Sequence, residues 1–241
     1  MTTEYKIEEI KNIADDSADC LCFKIIIIGD SFVGKSCLAS RAVKGNFDSL
    51  YTPTVGFEFF IYHVKIDDQI IKLQIWDTCG QEEYRSLINS FYRNSSLAII
   101  VYSVDNEESF NNIEIWLNES RIKGNPDMNF FLVGNKADLE DKRKISKERA
   151  NDLSKSHNFN LFMETSAKTG VNVKNIFFEA AKVLYEQHLK YKERISRPDS
   201  LGRISRISAD EENKSNSVGS LEINEKDNNS KKKRKKRFCC F

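Results

Sequence analysis

The sequence lacks the features of a secreted or membrane-spanning chain. No apolar run approaches the length of about 18 residues that spans a bilayer. The acidic N-terminus has no basic start followed by an apolar stretch, so we expect no secretory signal. The six cysteines do not follow a disulfide framework, and Cys20 and Cys22 are too close together for a usual zinc pair. We therefore expect an intracellular, reduced protein.

The chain also lacks a strong overall charge, although its two ends are charged in opposite senses. The net charge is +1, but residues 1–20 carry six acidic residues against two lysines, and residues 231–237 are all Lys or Arg. Residues 192–230 are rich in polar residues and contain no aromatic residue. These shifts predict a disordered acidic extension at 1–21, a folded domain at 22–191, a disordered linker at 192–230 and a basic tail at 231–241.

The folded region alternates strand-like and helix-like segments. Helical patterns cover Ser109–Ile122, Ser146–His157 and Val173–Tyr191, and a polar turn at 67–69 joins two strands as a hairpin. The pattern predicts an α/β fold, with a six-stranded, mostly parallel sheet, one antiparallel strand and helices on both faces. The six expected strands are Phe23–Ile28, Phe57–Ile66, Ile70–Trp76, Leu97–Val104, Phe130–Val133 and Leu161–Glu164.

The most informative segment is Gly29–Ser36, with the sequence GDSFVGKS, which fits the phosphate-binding pattern G-x-x-x-x-G-K-[ST]. It lies between an apolar strand and a helix that we expect to end near Gly45. A helix that begins at such a loop points its unpaired N–H groups at an anion. In this pattern Lys35 neutralises phosphate charge and the Ser36 hydroxyl is suited to Mg²⁺. By itself the segment indicates only a nucleoside triphosphate, and a chance match has a probability on the order of 1%.

Two residue groups after the strand ending at Trp76 suit the terminal phosphate of such a nucleotide. Asp77 directly follows this strand, beside the expected phosphate loop, where a carboxylate can hold Mg²⁺ directly or through water. The backbone N–H of Gly80 can approach a terminal phosphate, and Gln81 can orient an attacking water. An Asp at a strand end is common, and its ordinary alternative role is a cap or a turn.

Two further segments favour guanine as the base. Asp138 in Asn135–Asp138 (NKAD) can accept from the adjacent N1–H and amine of guanine, whereas adenine presents an acceptor there. The backbone of Thr165–Lys168 (TSAK) can donate to the guanine O6 atom. Either segment alone is equally well explained as a polar loop, but all the motifs together leave that alternative little room.

In this order, the segments GDSFVGKS, PTVG, WDTCGQE, NKAD and TSAK resemble the motifs of small GTPases of the Ras superfamily. The segments GFEF, KLQIWD, EYRSL and FYR, together with the adjacent cysteines at 239 and 240, resemble the Rab family in particular. The resemblance covers about residues 22–191 and the last few residues.

This resemblance implies bound GTP or GDP, with Mg²⁺ held by Ser36, Thr54 and Asp77, and hydrolysis that depends on Gln81, Thr54 and Lys35. It implies two switch segments, at about 47–57 and 78–92, that are ordered by the γ-phosphate through Thr54 and Gly80. It implies an effector-binding surface formed by Phe59, Trp76 and Phe91. The implied nucleotide-binding residues are Gly29, Asp30, Ser31, Phe32, Val33, Gly34, Lys35, Ser36, Cys37, Phe47, Thr54, Gly80, Asn135, Lys136, Asp138, Ser166, Ala167 and Lys168.

The C-terminal segment resembles the doubly prenylated ends of Rab proteins, with Cys239 and Cys240 as the lipidated residues. Two lipid chains beside a basic run favour stable attachment to an anionic membrane, although the run alone also suits a nuclear localisation signal. We therefore expect a monomer on the cytoplasmic face of an endomembrane or the plasma membrane, with a cytosolic pool. The resemblance implies as partners an exchange factor, a GTPase-activating protein, effectors, a prenylation escort and a GDP-dissociation inhibitor, and no nucleic acid.

Two residues depart from the pattern of the family. Phe32 stands where a small residue is usual, and it is strained there if the position requires a positive φ. Alternatively, its ring points outward and covers the nucleotide. Cys79 replaces the usual Ala beside the γ-phosphate. We expect binding to survive and hydrolysis to be altered. A GTP-binding module with almost no turnover is therefore one alternative, and a phosphotransferase built on the same loop is a second that NKAD and TSAK oppose.

Overall fold

The computed structural model describes residues 5–10, 20–47, 56–79 and 91–196. The described residues from 5 to 190 belong to one compact unit. The strands are β1 (Ile7–Glu9), β2 (Cys20–Ile28), β3 (Phe57–Ile66), β4 (Gln69–Thr78), β5 (Leu97–Ser103), β6 (Asn129–Asn135) and β7 (Leu161–Glu164). The helices are α1 (Lys35–Lys44), α2 (Glu107–Asn111), α3 (Ile113–Lys123), α4 (Lys147–Ser156) and α5 (Val173–Ser196), with a short 3₁₀ helix at Glu140–Lys142.

The described strands form one sheet in the order β1-β3-β4-β2-β5-β6-β7. Strand β3 is antiparallel to both of its neighbours, and every other neighbouring pair is parallel. The predicted α/β fold with one antiparallel strand is therefore confirmed. The predicted number of six strands is wrong, because the described residues contain seven.

The additional strand, β1, comes from the acidic extension. Ile7 is paired with Ile66 at the far end of β3, and the Asp67 N–H donates to the Lys6 carbonyl over 2.9 Å. The predicted disorder of residues 1–21 is therefore wrong for the segment 5–10, and β2 also begins earlier than predicted, at Cys20. The rest of the four-part division of the chain stays a prediction.

The hydrophobic core lies on both faces of the sheet because side chains alternate along each buried strand. In β2, Ile25 and Ile27 belong to a cluster that includes residues of α1 and α5. Ile26 and Ile28 belong to a second cluster that includes residues of α2, α3 and α4. Helices therefore cover both faces, as predicted.

The helix boundaries follow local capping chemistry. Helix α1 is capped at its C-terminus by Gly45, whose φ of 75° is left-handed and whose N–H donates to the Arg41 carbonyl. Helix α4 begins after Ser146, whose hydroxyl accepts from the Arg149 N–H over 3.1 Å. The helix predicted at 109–122 is instead two helices, α2 and α3, which meet at Asn112. None of the described helices is both long and apolar enough to cross a membrane.

Candidate functional site

The loop between β2 and α1 forms a tight cradle that depends on two glycines. Gly29 has a φ of 139°, and a Cβ there would lie 2.2 Å from the Val101 carbonyl oxygen. Gly34, the N-cap of α1, has a φ of 94°, and a Cβ there would lie 2.4 Å from Nδ2 of Asn135. Only glycine fits both positions. The first turn of α1 carries no acidic residue, so its N–H groups suit an anionic phosphate.

The side chain of Lys35 closes this cradle from inside. Its Nζ donates to the carbonyl oxygens of Gly29 over 2.9 Å and Asp30 over 2.7 Å. Burial lowers the pKa of Lys35 to about 8, and the carboxylates of Asp77 and Asp30 oppose this shift. A nearly buried cation held against the loop is suited to binding phosphate oxygens.

Asp77 and Ser36 together fit a magnesium ion. The pairing of Ile27 with Asp77 brings the end of β4 beside the cradle, and Asp77 Oδ2 accepts from the Ser36 hydroxyl over 2.5 Å. Asp77 Oδ1 is buried and has no hydrogen-bond partner in the described part of the chain. Burial raises the pKa of Asp77 to about 6, although the hydrogen bond from Ser36 and the positive charge of Lys35 both act to lower it. A hard cation would satisfy the unpaired oxygen and favour the ionised carboxylate.

Asn135 joins the phosphate loop to the segment that follows β7. Its Nδ2 donates to the Val33 carbonyl over 2.9 Å. Its Oδ1 accepts from the Thr165 hydroxyl and from the Ala167 N–H, each over 3.2 Å. The side chain is 1% exposed, so this buried amide fixes three segments of chain relative to one another.

Asp138 is held where its carboxylate can select a base. One oxygen accepts from the Ser166 hydroxyl over 2.6 Å, and the other lies 4.0 Å from Nζ of Lys168. The Ser166 hydroxyl in turn accepts from the Thr169 N–H. Lys136, between the two site residues Asn135 and Asp138, has a φ of 63°. A positioned carboxylate that accepts from two adjacent N–H groups selects guanine over adenine.

Two ion pairs of Arg143, which no sequence motif predicts, support this region. Arg143 Nη1 lies 2.7 Å from Oε1 of Glu164, and a second guanidinium nitrogen lies 2.9 Å from Oε2 of Glu140. Glu164 is the last residue of β7 and directly precedes Thr165. The contact between Arg143 and Glu164 therefore links the loop after β6 to the start of the TSAK segment. No local sequence pattern predicts this contact, because the two residues are 21 positions apart.

The three aromatic residues of the expected effector surface lie together. The ring centroids of Phe59 and Trp76 are 5.1 Å apart, and those of Trp76 and Phe91 are 5.3 Å apart. Phe57, which sequence analysis did not assign, lies 5.2 Å from Trp76 and 4.8 Å from Phe91. Phe57 and Phe59 are 49% and 42% exposed. The signal for Phe57 was available, since it is two residues before Phe59 on the same strand face.

The remaining expected residues fall into two groups. Phe32 has a φ of 64°, which meets the condition for strain named for this position, and the residue is 63% exposed. Cys79 is buried, and its N–H donates to the Gly56 carbonyl over 3.0 Å. Phe47 is partly exposed. Outside the described residues lie Thr54, Gly80, Gln81, Cys239 and Cys240.

The fold and the site define a guanine-nucleotide-binding protein with a phosphate loop. A family model described as Ras family matches residues 24–186, and the chain belongs to this family. Ras-family proteins are small GTPases that bind GTP and GDP with Mg²⁺ and hydrolyse GTP. They act as switches that exchange factors, GTPase-activating proteins and effectors recognise.

Proposed function

We propose that this protein is a Rab-like GTPase that acts as a membrane-attached switch in vesicle trafficking and recruits effectors in its GTP-bound state. The observation that carries this proposal is the aromatic surface, defined here as Phe57, Phe59, Trp76 and Phe91. Exposed aromatic residues packed against one another are typical of surfaces that bind other proteins.

The position of the aromatic surface supports nucleotide-dependent recognition. Phe57 is paired with Thr78, and the Cys79 N–H donates to the Gly56 carbonyl. These contacts tie together the ends of the two expected switch segments, 47–57 and 78–92. A rearrangement of either segment would therefore be transmitted to the rings of Phe57 and Phe91.

The chemistry assigned to the site is hydrolysis of the γ-phosphate. Lys35 would neutralise charge on the phosphates, Mg²⁺ would stabilise that charge from Ser36, Thr54 and Asp77, and Gln81 would orient the water. The segments GDSFVGKS, PTVG and WDTCGQE contain no arginine. Related switches hydrolyse GTP at about 10⁻⁴ s⁻¹ unaided and roughly 10⁵-fold faster when an activating protein supplies an arginine. We therefore infer that hydrolysis by this protein depends on such an activating protein.

The proposed anchor is the C-terminal segment. Cys239 and Cys240 would each carry a prenyl chain, and the basic run at 231–237 would add attraction to anionic lipids. An escort protein would present the chain for prenylation, and a GDP-dissociation inhibitor would hold a cytosolic pool. The protein would act as a monomer on the cytoplasmic face of an endomembrane or the plasma membrane.

Localisation of the tagged full-length protein tests the anchor. We expect the wild type on a membrane and the Cys239→Ser/Cys240→Ser variant in the cytosol. Wild type that accumulates in the nucleus, or a variant that keeps the wild-type distribution, would contradict the proposed anchor. Mass spectrometry of the two cysteines supplies an independent measurement.

Capture of partners from cell extract tests the aromatic surface. We expect partners that bind the GTP-loaded protein, bind the GDP-loaded protein less, and are lost in Phe59→Ala. Ile122→Ala, which changes an apolar residue on α3 that is exposed but lies outside the surface, is the matched control. Equal capture of partners by the GTP-loaded and GDP-loaded proteins would argue against a switch. A separate single-turnover assay tests the alternative of a GTP-binding module without turnover, which predicts that no GTP is hydrolysed.

A further inference from the structure

We propose that Asn112 and Trp116, at the junction of α2 and α3, are positioning residues for nucleotide binding because they hold the carboxylate of Asp30 in the phosphate loop. Nδ2 of Asn112 donates to Oδ2 of Asp30 over 2.7 Å. Nε1 of Trp116 donates to Oδ1 over 2.7 Å. Both oxygens of this carboxylate are therefore bound by neutral donors.

The main chain of the same residue contacts the phosphate-binding lysine. The Asp30 carbonyl accepts from Nζ of Lys35 over 2.7 Å, beside the bond from Lys35 to Gly29. Asp30 thus connects the buried lysine to the α2–α3 junction, although its partners there are 82 and 86 residues away in sequence. A shift of its side chain would move a carbonyl that orients Lys35.

The two donors lie on a rigid part of the fold. Trp116 is 2% exposed and belongs to the same core cluster as Ile26 and Ile28 of β2. Asn112 connects the helices, since its N–H donates to the Glu108 carbonyl and its own carbonyl accepts from the N–H groups of Ile115 and Trp116. Donors fixed in this way position an acceptor with little loss of side-chain entropy.

Electrostatics explains why the carboxylate needs to be held. A loop that binds phosphates favours neutral or cationic groups, and a mobile carboxylate within it would repel the ligand. Two short hydrogen bonds to an ionised group keep the charge of Asp30 at the α2–α3 junction. Weakening them would therefore increase the rate at which nucleotide leaves.

A polarity swap tests this inference. In Asn112→Asp a second carboxylate faces Asp30, and we expect dissociation of a fluorescent GDP analogue from the full-length Mg²⁺ complex to be roughly tenfold faster. In the double variant Asp30→Asn/Asn112→Asp, the amide at position 30 donates to the carboxylate at position 112. We expect its rate to return to within about threefold of the wild type. Asn118→Asp, at an exposed position of α3, is the matched charge control and should leave the rate unchanged.

Trp116→Phe distinguishes positioning from packing. If the indole N–H acts through Asp30, this substitution should increase the dissociation rate in the wild type and have no further effect in the Asp30→Ala background. An equal effect in both backgrounds would overturn the role of Trp116. An unchanged rate in Asn112→Asp, or a double variant as fast as Asn112→Asp, would overturn the proposal for Asn112.

Nuclear magnetic resonance gives a readout that does not depend on nucleotide release. The chain has two tryptophans, Trp76 and Trp116, so the GDP complex should show two indole N–H signals. We expect Asp30→Ala to shift the Trp116 signal and to leave the Trp76 signal in place. If neither signal moves while the thermal unfolding of the complex is unchanged, the hydrogen bond to Asp30 does not exist in solution and the proposal fails.

Discussion

Replacement of Phe32 separates two opposing contributions of this residue to stability. Its φ of 64° places an L-residue in the left-handed region, which costs about 1–2 kcal/mol. Glycine avoids that cost but loses about 0.5–1 kcal/mol more backbone entropy on folding than alanine does. We therefore expect Phe32→Gly to be more stable than Phe32→Ala by about 0.5–1 kcal/mol, the reverse of the usual order.

The ring of Phe32 contributes in the opposite direction. The residue is 63% exposed, so about a third of its surface is covered. A fully buried aromatic side chain covers roughly 200 Å², and a third of that at about 25 cal/mol/Å² gives about 1.5 kcal/mol. The expected order of stability is therefore wild type, then Phe32→Gly, then Phe32→Ala.

Urea unfolding at fixed GDP and Mg²⁺ concentrations measures these differences. Gly45→Ala is the matched control for the backbone contribution, because Gly45 has a φ of 75° and a Cβ there would meet nothing within 4 Å. It should lower the free energy of unfolding by about 1 kcal/mol. If Phe32→Ala is at least as stable as Phe32→Gly while the control behaves as expected, the assignment of strain at position 32 is refuted.

Three further predictions concern the site and its supports. Asn135→Ala should lower the free energy of unfolding by about 3–5 kcal/mol, because three buried groups lose their partner, and a loss below about 1 kcal/mol in urea would contradict the geometry. Ile7→Pro should increase amide hydrogen exchange at residues 63–67, since it breaks the pairing of β1 with β3, and unchanged exchange there would argue against β1. Chelation of Mg²⁺ should speed GDP release, and the acceleration should be smaller in Ser36→Ala, which lacks the hydroxyl that faces Asp77 in the wild type. An equal acceleration in both proteins would exclude Ser36 as a ligand.

Local chemistry made much of the fold predictable. The apolar run of β2, the Gly45 end of α1 and the Ser146 cap of α4 are each specified by residues within a few positions. The φ of 64° at Phe32 meets the condition under which strain was expected there, although the loop pattern alone did not establish it.

The features that sequence reasoning missed depend on contacts between distant segments. Strand β1 has only three residues, too few for an alternating pattern, and it exists through its pairing with the open edge of β3. Trp116 is buried, but its apolar neighbours in the sequence gave no sign of the hydrogen bond to Asp30. A pattern of apolar residues specifies which face of a helix is buried, but it does not specify which polar atom of another segment that face contacts.

Nucleotide selectivity tests most directly whether this site binds guanine. Competition against a fluorescent GDP analogue compares GDP, ADP and xanthosine diphosphate on the wild type and on Asp138→Asn. We expect the wild type to prefer GDP over ADP by a factor on the order of 10⁴. The variant should lose affinity for GDP and gain affinity for xanthosine diphosphate, because an amide donates where the carboxylate accepted. A wild type that binds ADP as tightly as GDP would contradict the account of the site.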